Sequence, residues 1–337
     1  MHMERVCFLH IGTHKTGTTS LQTLLTSNQQ CLERSGILVP RSGRAWTGGG
    51  HHNLAWELSG DERFNPTFGA WRDILGEIRS SNFPAVCLSS EDFEYLHRKP
   101  DSLSCIRQDL NSIGYQVRVV VYLRPQADYV ESLYAELVKH GVHAAFREYL
   151  GEILQSGAMV HRDSWGLVFD YRQLLDPFAK AFGTAGMVVR PYSATRPSND
   201  LLNNFVSVIS RGHRIAGLDF AACRERHNPS PTFARLVALL LANRRKREET
   251  FASKVSNSRD DHFMNGSFDP LNLRDLIRIQ RRFREANRVV WDKYRVKLSS
   301  VSPRRLRREI LCTVGLNRDS TRRKNLLAQL DRCDELP

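Results

Sequence analysis

The segment 8–22 constrains the fold more than any other part of the chain. It reads Phe-Leu-His-Ile-Gly-Thr-His-Lys-Thr-Gly-Thr-Thr-Ser-Leu-Gln. The apolar residues from Val6 to Ile11 predict a buried strand, and the leucines at helical spacing from Leu21 onward predict a helix. Between them, Gly12 and Gly17 allow the backbone to curl until successive N–H groups face one concavity, to which the helix N-terminus adds positive charge. The sequence therefore predicts a strand, an anion-binding loop and a helix.

The loop also carries side chains that suit an anion site. Lys15 supplies a full charge, and the hydroxyl groups of Thr18, Thr19 and Ser20 stand in the first helical turn, where backbone N–H groups are free. In the ATP- and GTP-binding form of this loop, G-x-x-x-x-G-K-[ST], the lysine follows the second glycine. Here it lies two residues before Gly17. This spacing indicates a related phosphate loop with a different ligand.

The pattern Ile-Gly-x-x-Lys-Thr-Gly-Thr-Thr at residues 11–19 resembles the 5′-phosphosulfate loop of sulfotransferases that use 3′-phosphoadenosine 5′-phosphosulfate (PAPS). It is most similar to the carbohydrate (heparan-type) branch and its bacterial relatives. The resemblance implies transfer of a sulfuryl group from PAPS to a hydroxyl or amine, with a carbohydrate as the expected acceptor. We expect no required metal, because the leaving group is already ionised and held by cations, and no carboxylate pair near the loop resembles a magnesium site. The residues that the resemblance assigns to PAPS in this loop are Gly12, His14, Lys15, Thr16, Gly17, Thr18, Thr19 and Ser20.

Strands alternate with helices over the first two thirds of the chain. Beyond the first strand, strands are predicted at 36–40, 85–89, 116–123 and 187–191. This alternation predicts an α/β fold, a P-loop-like parallel sheet of about five strands flanked by helices, with ligands at the carboxyl ends of the strands. From residue 200 the pattern is helical. We therefore expect a PAPS-binding domain at 1–230 and a helical, basic extension at 231–337 packing on it, with helices that include 303–314 and 320–330.

A second anion-binding feature follows the strand 116–123. Arg124 stands at the end of that strand, and Ser132 lies eight residues later, off the apolar stripe of the predicted helix. This pair resembles the 3′-phosphate motif of the same family. Two separate phosphate contacts suit a ligand phosphorylated at both the 5′ and 3′ positions, and the arginine fork suits a phosphate dianion.

Two further residues are assigned to the nucleotide by resemblance alone. Tyr192 follows the strand 187–191, where cytosolic members of the family place an aromatic residue near adenine. Arg226 begins Arg-His-Asn-Pro-Ser, which resembles an Arg-x-Asn-x-Ser element of bacterial relatives that closes over the nucleotide. The cytosolic enzymes carry a tryptophan after the Thr-Thr pair, where this chain has Ser20.

Sulfuryl transfer, like phosphoryl transfer, depends on alignment and charge stabilisation, and an acceptor hydroxyl needs a general base. Lys15 is assigned to the bridging and leaving oxygens, where negative charge grows. Glu91, just beyond the third strand, is one candidate base, at the position where cytosolic relatives keep a catalytic histidine. His51 and His52 are the other candidates, in the region where heparan-type relatives carry a catalytic glutamate. A purely structural role is the alternative for each.

The charge distribution leaves other function classes open. The net charge is +13, and residues 270–337 hold 18 Lys/Arg against 8 Asp/Glu. Such a tail suits an anionic surface, a dimer contact or a solvated helical face. A nucleic-acid or anionic-surface binding protein is therefore one alternative, although Arg304–Arg308 and Arg322–Lys324 lack interleaved aromatic residues. A P-loop small-molecule or nucleotide kinase is the other alternative. Against it, Lys15 is misplaced for that loop, and no acidic residue directly ends an apolar strand to hold magnesium, since Ser89 and Ser90 precede Glu91.

Cysteines and hydropathy bear on the compartment. The seven cysteines are scattered without a C-x-x-C pair, which suggests neither a zinc site nor a disulfide framework. No apolar run approaches the roughly 20 residues that cross a bilayer. We expect a cytoplasmic enzyme without a signal peptide or transmembrane segment, able to form a homodimer and without a nucleic-acid partner.

Overall fold

The computed structural model describes residues 4–45, 49–161, 165–192, 198–224, 233–249 and 271–301. These residues fall into two compact units that are interleaved along the chain. The first lies within Met1–Arg124, Ala158–Arg226 and Val289–Leu298, and the second within Pro125–Gly157, His227–Arg288 and Ser299–Pro337. The helices predicted at 303–314 and 320–330 lie outside the described residues.

The first unit contains all the strands of the described chain. They are β1 (Arg5–His10), β2 (Ile37–Leu38), β3 (Ala85–Ser89), β4 (Tyr115–Leu123), β5 (Ala158–His161), β6 (Trp165–Val168) and β7 (Met187–Pro191). Five of them form a parallel sheet in the order β2-β3-β1-β4-β7, and β5 and β6 form a separate antiparallel pair. The predicted α/β class with a five-stranded parallel sheet is thus confirmed, and β4 is an interior strand as its apolar sequence indicates.

Apolar side chains cover both faces of the parallel sheet, because successive residues of a strand point to opposite sides. On β1, Cys7 and Leu9 belong to one buried cluster and Val6 and Phe8 to the other. Covering on both faces explains why the strands read as nearly continuous apolar runs. The carboxyl ends of β1, β3 and β4 consequently lie at one edge of the sheet, where the loops that follow them meet.

Helices and three 3₁₀ segments surround this sheet within the described part of the first unit. The 3₁₀ segments are Pro66–Phe68, Glu91–Arg98, which follows β3, and Thr184–Gly186. The helices of this unit are α1 (Thr18–Ser27), α2 (Gln29–Arg34), α3 (His52–Ser59), α4 (Trp71–Ser81), α5 (Pro100–Ser112), α8 (Tyr171–Phe182), α9 (Ser198–Ile209) and α10 (Ala221–Arg224).

The single helix predicted after the phosphate loop is divided at Asn28. The Asn28 side-chain amide donates to the carbonyl oxygens of Leu24 (3.0 Å) and Asp219 (2.8 Å), and its Oδ1 accepts from the Asp219 N–H (2.7 Å). Asparagine side chains compete with the helical backbone for hydrogen bonds in this way. The spacing of the leucines continues through the break, which is why periodicity alone did not predict it.

The second unit is helical in its described part. It contains α6 (Gln126–Lys139), α7 (Phe146–Ser156), α11 (Phe233–Glu249) and the Leu273–Arg288 portion of α12 (Leu273–Tyr294). The Asn243 amide of α11 donates to Val138 O (2.7 Å) and Val142 O (3.0 Å), and so joins α11 to the end of α6. Across the described residues, no helix combines the length and the apolar character that a membrane span requires.

Candidate functional site: the loop after β1

Three residues of the loop between β1 and α1 have left-handed backbone conformations. They are Gly12 (φ 58°), Lys15 (φ 64°) and Gly17 (φ 78°). Glycine adopts this conformation freely, whereas an L-residue such as Lys15 pays roughly 1–2 kcal/mol for it. Strained backbone of this kind persists only where surrounding contacts enforce it, and it is concentrated at ligand-binding sites.

Hydrogen bonds hold the loop to β4 and to itself. Ile11 N–H donates to Val120 O (3.0 Å), and the Thr13 hydroxyl donates to Tyr122 O (3.1 Å). The Thr16 hydroxyl donates to Thr13 O and closes the turn (2.6 Å). Gly17, the N-cap residue that precedes α1, has no side chain to cap the helix, so the first-turn amides lack the usual capping oxygen. The fold thus presents preorganised N–H donors at the carboxyl edge of the sheet.

The two glycines are required by close packing as well as by conformation. A Cβ atom at Gly12 would lie 2.9 Å from the Glu91 Cα and 3.0 Å from the Thr18 Cγ2. A Cβ atom at Gly17 would lie 2.6 Å from the Leu201 Cδ2 and 3.5 Å from the Tyr192 ring. The loop is therefore enclosed by the backbone after β3 on one side and by the residues after β7 on the other.

Arg124, at the end of β4, is attached to the loop. Its Nη1 donates to Lys15 O (2.8 Å), and its guanidinium carbon lies 5.6 Å from the centre of the Tyr192 ring. The Tyr171 hydroxyl donates to Arg124 O (2.5 Å) and fixes the backbone there. The Arg124 Nε is buried and has no hydrogen-bond partner among the described residues. A buried N–H of this kind normally has an acceptor, and a phosphate oxygen is a suitable one.

The remaining predicted nucleotide contacts are distributed between the units. In the first turn of α1, Thr18 is buried, Thr19 is exposed and Ser20 is half-buried. Ser132 is half-buried on α6 and belongs to the second unit, so its approach to the phosphate stays a prediction. Arg226 lies outside the described residues.

His14 connects the loop to the acidic segment after β3. Its main-chain N–H and its Nδ1–H both donate to Glu94 Oε2, at 3.3 Å and 3.1 Å. Its Nε2 lies 3.1 Å from the Tyr95 hydroxyl and 3.5 Å from Asp92 Oδ1. Burial lowers the pKa of His14, but the hydrogen bonds to Asp92 and Glu94 and their charges outweigh it and raise the pKa to about 10. The ring is therefore a half-buried cation with both N–H groups engaged, and it holds the loop in place.

Glu94 extends this connection to the β5–β6 pair. Its side chain is fully buried, and its Oε1 accepts the Val168 N–H (3.0 Å) while Oε2 accepts from His14. A buried carboxylate is stable only when it is paired and hydrogen-bonded, and Glu94 meets both conditions. The loop after β1 and the strand β6 are consequently fixed to the same carboxylate.

Asp92 is a second buried carboxylate, shared by several groups. Its Oδ2 accepts from the Trp56 indole N–H (2.6 Å) and lies 3.4 Å from His52 Nδ1, while Oδ1 faces His14. Arg63 approaches Oδ2 to 3.9 Å. Burial raises the pKa of Asp92, but the hydrogen bonds from His14 and His52 outweigh it and hold the pKa well below its usual range.

Glu91 and His52, two of the candidate bases, face each other. Glu91 Oε2 accepts from the Gln22 side-chain amide (2.6 Å) and lies 3.9 Å from His52 Nε2. Burial lowers the pKa of His52, but the charges of Glu91 and Asp92 raise it above its usual value. Both side chains are partly accessible, at 20% for Glu91 and 12% for His52.

His51 has a different environment from His52. It is fully buried, its Nε2–H donates to Pro40 O (3.0 Å), and its Nδ1 accepts the Ser89 N–H (3.1 Å). Burial, followed by the charge of Arg44, lowers the pKa of His51 to about 3. Both ring nitrogens of this neutral imidazole are thus used by the main chain, an arrangement that suits support of the sheet edge rather than proton transfer.

Several residues of this site were not singled out from the sequence. Gln22, Gly50, Asp92, Glu94 and Tyr95 all contact or support the predicted residues. The sequence did carry a signal for the segment after β3. Four of the five residues from Glu91 to Tyr95 are acidic or carry a hydroxyl group, and they follow a strand that pairs with β1. Among the described residues, no group of three or more His, Cys, Asp or Glu side chains has a metal-binding arrangement.

Comparisons with known proteins give distant likenesses. No protein-family model matches the sequence, and no curated protein matches it. A solved sulfotransferase from Alicyclobacillus acidocaldarius matches with 17% identity and a TM-score of 0.39, over 74% of this chain and 97% of that one. A structure from the PezAT toxin–antitoxin system of Streptococcus pneumoniae matches with 12% identity and a TM-score of 0.29, over 74% and 88%. Because both likenesses are weak, only the sequence and the geometry of the site bear on what the chain does.

Proposed function

We propose that this chain is a PAPS-dependent sulfotransferase. It transfers the sulfuryl group to an acceptor hydroxyl or amine by in-line displacement and releases 3′-phosphoadenosine 5′-phosphate (PAP). The loop from Gly12 to Ser20 binds the 5′-phosphosulfate, and Arg124 binds the 3′-phosphate with Ser132. The carbohydrate class of the acceptor rests on the resemblance of the loop sequence.

One observation carries the proposal: Arg124 is bonded to Lys15 O with its Nε buried and without a partner among the described residues. The loop supplies donors for one anion, and this guanidinium, fixed against the same loop, supplies donors for a second. A ligand with phosphate groups at both ends of a ribose meets the two requirements together. Tyr192, whose ring lies against both Gly17 and Arg124, offers an aromatic surface beside them.

Lys15, Glu91 and His52 each have a separate role in the transfer of the sulfuryl group. The acceptor oxygen attacks sulfur while the bond from sulfur to the 5′-phosphate oxygen breaks, and the electron pair of that bond leaves with PAP. Lys15 and the first-turn amides of α1 stabilise the negative charge that develops on the departing oxygen. Glu91 accepts the acceptor's proton, because its backbone lies beside Gly12 of the loop and its side chain is partly accessible. His52 is better suited to donate a hydrogen bond, since Glu91 and Asp92 favour its protonated form.

Ligand-induced stabilisation tests the proposal without knowledge of the acceptor. The full chain is melted alone and with PAP, with ATP and Mg²⁺, or with a single-stranded oligonucleotide. A ligand that binds only the native state adds about 2.7 kcal/mol at a concentration 100 times its Kd. We expect the largest rise in melting temperature with PAP, and a smaller rise in Lys15→Met and Arg124→Met.

The other outcomes identify the competing functions. Stabilisation by ATP and Mg²⁺ without an effect of PAP would indicate a kinase, and stabilisation by the oligonucleotide alone would indicate nucleic-acid binding. Arg118→Met is the matched control, because Arg118 is an arginine of β4 whose side chain makes a long surface ion pair with Glu4 (3.7 Å). Its response to PAP should equal that of the wild type.

A further inference from the structure

The space between His52 and Glu91 has the dimensions of a binding position for one oxygen atom. His52 Nε2 and Glu91 Oε2 lie 3.9 Å apart, which is too far for a direct hydrogen bond. An oxygen placed about 2.8 Å from each atom fits between them with ordinary hydrogen-bond lengths. Gly50 keeps this space open, because a Cβ atom there would lie 2.6 Å from His52 Nε2 and 2.7 Å from the Gln22 side chain.

The two sides of the space have opposite hydrogen-bonding character. On the Glu91 side, the carboxylate is held by the Gln22 amide and only accepts hydrogen bonds. On the other side, the His52 ring has a carboxylate at each nitrogen, with Asp92 Oδ2 3.4 Å from Nδ1 and Glu91 beyond Nε2. Two flanking carboxylates favour the imidazolium, which carries an N–H at both nitrogens.

The other groups that face His52 leave this assignment in place. The Ser90 hydroxyl lies 2.9 Å from Nδ1, and the Trp56 ring is stacked on the imidazole at 6.1 Å between centres. The cationic His14 opposes a charge on His52, but it lies on the far side of Asp92 and is itself paired with that carboxylate. Burial also opposes the charge, and the attraction of Glu91 and Asp92 exceeds both effects.

We infer that this space binds the acceptor atom and that it selects a hydroxyl over an amine. The inference rests on the proposed function and makes its acceptor more specific. A hydroxyl has one O–H and two lone pairs. It donates its proton to Glu91, accepts from His52 Nε2–H with one lone pair, and forms the new O–S bond with the other. A neutral amine has one lone pair, which attack on sulfur consumes, and an ammonium group has none, so neither satisfies the His52 N–H during transfer.

The protonation state of His52 is measurable in the absence of any acceptor. The full chain is labelled with ¹⁵N-histidine and saturated with PAP, and the His52 signals are assigned by their loss in His52→Gln. We expect both ring nitrogens of His52 to be protonated at pH 7. A neutral ring with a lone pair at Nε2 would overturn the inference, because such a ring accepts from an amine as readily as from a hydroxyl.

Analysis of the sulfated products tests the preference for a hydroxyl independently of the NMR measurement. Glucosamine oligomers present hydroxyls and a free amine on every ring, and they are incubated with labelled PAPS at pH 7 and pH 9. We expect label in oxygen-linked sulfate at least tenfold above nitrogen-linked sulfate at both pH values, and a predominance of nitrogen-linked sulfate would overturn the inference. If neither product forms, the NMR measurement decides alone.

Two variants separate this subsite from the donor site. Gly50→Ala should reduce transfer at least tenfold while PAP affinity stays within twofold of the wild type, since the added methyl group enters the acceptor space. Gly76→Ala, on α4 with nothing within 4 Å of its added Cβ, is the matched control and should leave both unchanged. If the wild type does not bind PAP, the proposed function is wrong. If PAP binding is intact and Gly50→Ala transfers at the wild-type rate, only the assignment of the acceptor position is wrong.

Discussion

Replacement of Arg124 by lysine tests whether the guanidinium contributes geometry in addition to charge. The arginine uses Nη1 for Lys15 O and keeps Nε buried without a partner among the described residues. A phosphate that accepts from Nε would gain a charge-assisted hydrogen bond of about 1.5–3 kcal/mol. Lysine retains the positive charge but cannot reach the loop carbonyl and the phosphate together. At about 1.4 kcal/mol per factor of ten, PAP should bind roughly 10- to 100-fold more weakly.

Comparison of two nucleotides isolates the part of this loss that belongs to the 3′-phosphate. Calorimetric Kd values are measured for PAP and for adenosine 5′-monophosphate, with the wild type, Arg124→Lys and the control Arg118→Lys. The substitution at 124 should weaken PAP but change the affinity for the monophosphate less than about threefold, a difference within 1 kcal/mol. An equal loss for both nucleotides would refute the assignment of Arg124 to the 3′-phosphate and indicate a role in holding the loop.

Three further predictions concern the loop and its buried charges. Gly17→Ala should lower the free energy of unfolding by about 1–2 kcal/mol for the left-handed backbone and by more for the collision with Leu201, and it should weaken PAP binding. The control Gly114→Ala should show the backbone cost alone. Equal losses of stability in urea unfolding of the two variants would contradict this. The pKa of His14 is raised to about 10, so the stability it contributes is complete below about pH 6.5 and is lost as pH rises through 10. His14→Gln should therefore flatten the decline of melting temperature between pH 7 and 10, and a decline as steep as in the wild type would count against the pairing. Glu94→Gln removes the buried partner of that cation and should cost about 3 kcal/mol in urea unfolding; a loss under about 1 kcal/mol would show that the pair is not stabilising.

Local patterns were sufficient to predict the frame of the site. The alternation of strands and helices gave the parallel sheet, and the residues from Gly12 to Gly17 form the turn expected between a buried strand and a helix. These features depend on backbone conformation and on spacing within about ten residues, which a sequence displays directly. The placement of Arg124 at the end of an interior strand was predictable for the same reason.

Contacts between distant segments were not predictable in the same way. The strands β5 and β6 have four residues each, too few for a clear alternation of polar and apolar positions. The sequence offered His51 and His52 as equivalent candidates, but α3 begins at His52 and the two side chains point to different surroundings. The His51 ring bonds to the main chain, while the His52 ring faces Glu91. One residue along a chain changes the direction of a side chain by about 100° in a helix, so the fold decides which neighbour reaches the site.

The sequence by itself determined where a glycine-bounded turn joins a buried strand to a helix, which cations were candidates to lie near it and in which order the strands occur along the chain. The tertiary structure decided the ionisation of the side chains around that turn, because protonation depends on which charges are brought together and removed from water. Asp92 illustrates the difference, since its role comes from His14, His52 and Trp56, which lie 36 or more positions away from it in the sequence. The pairing of these groups is a property of the folded chain alone.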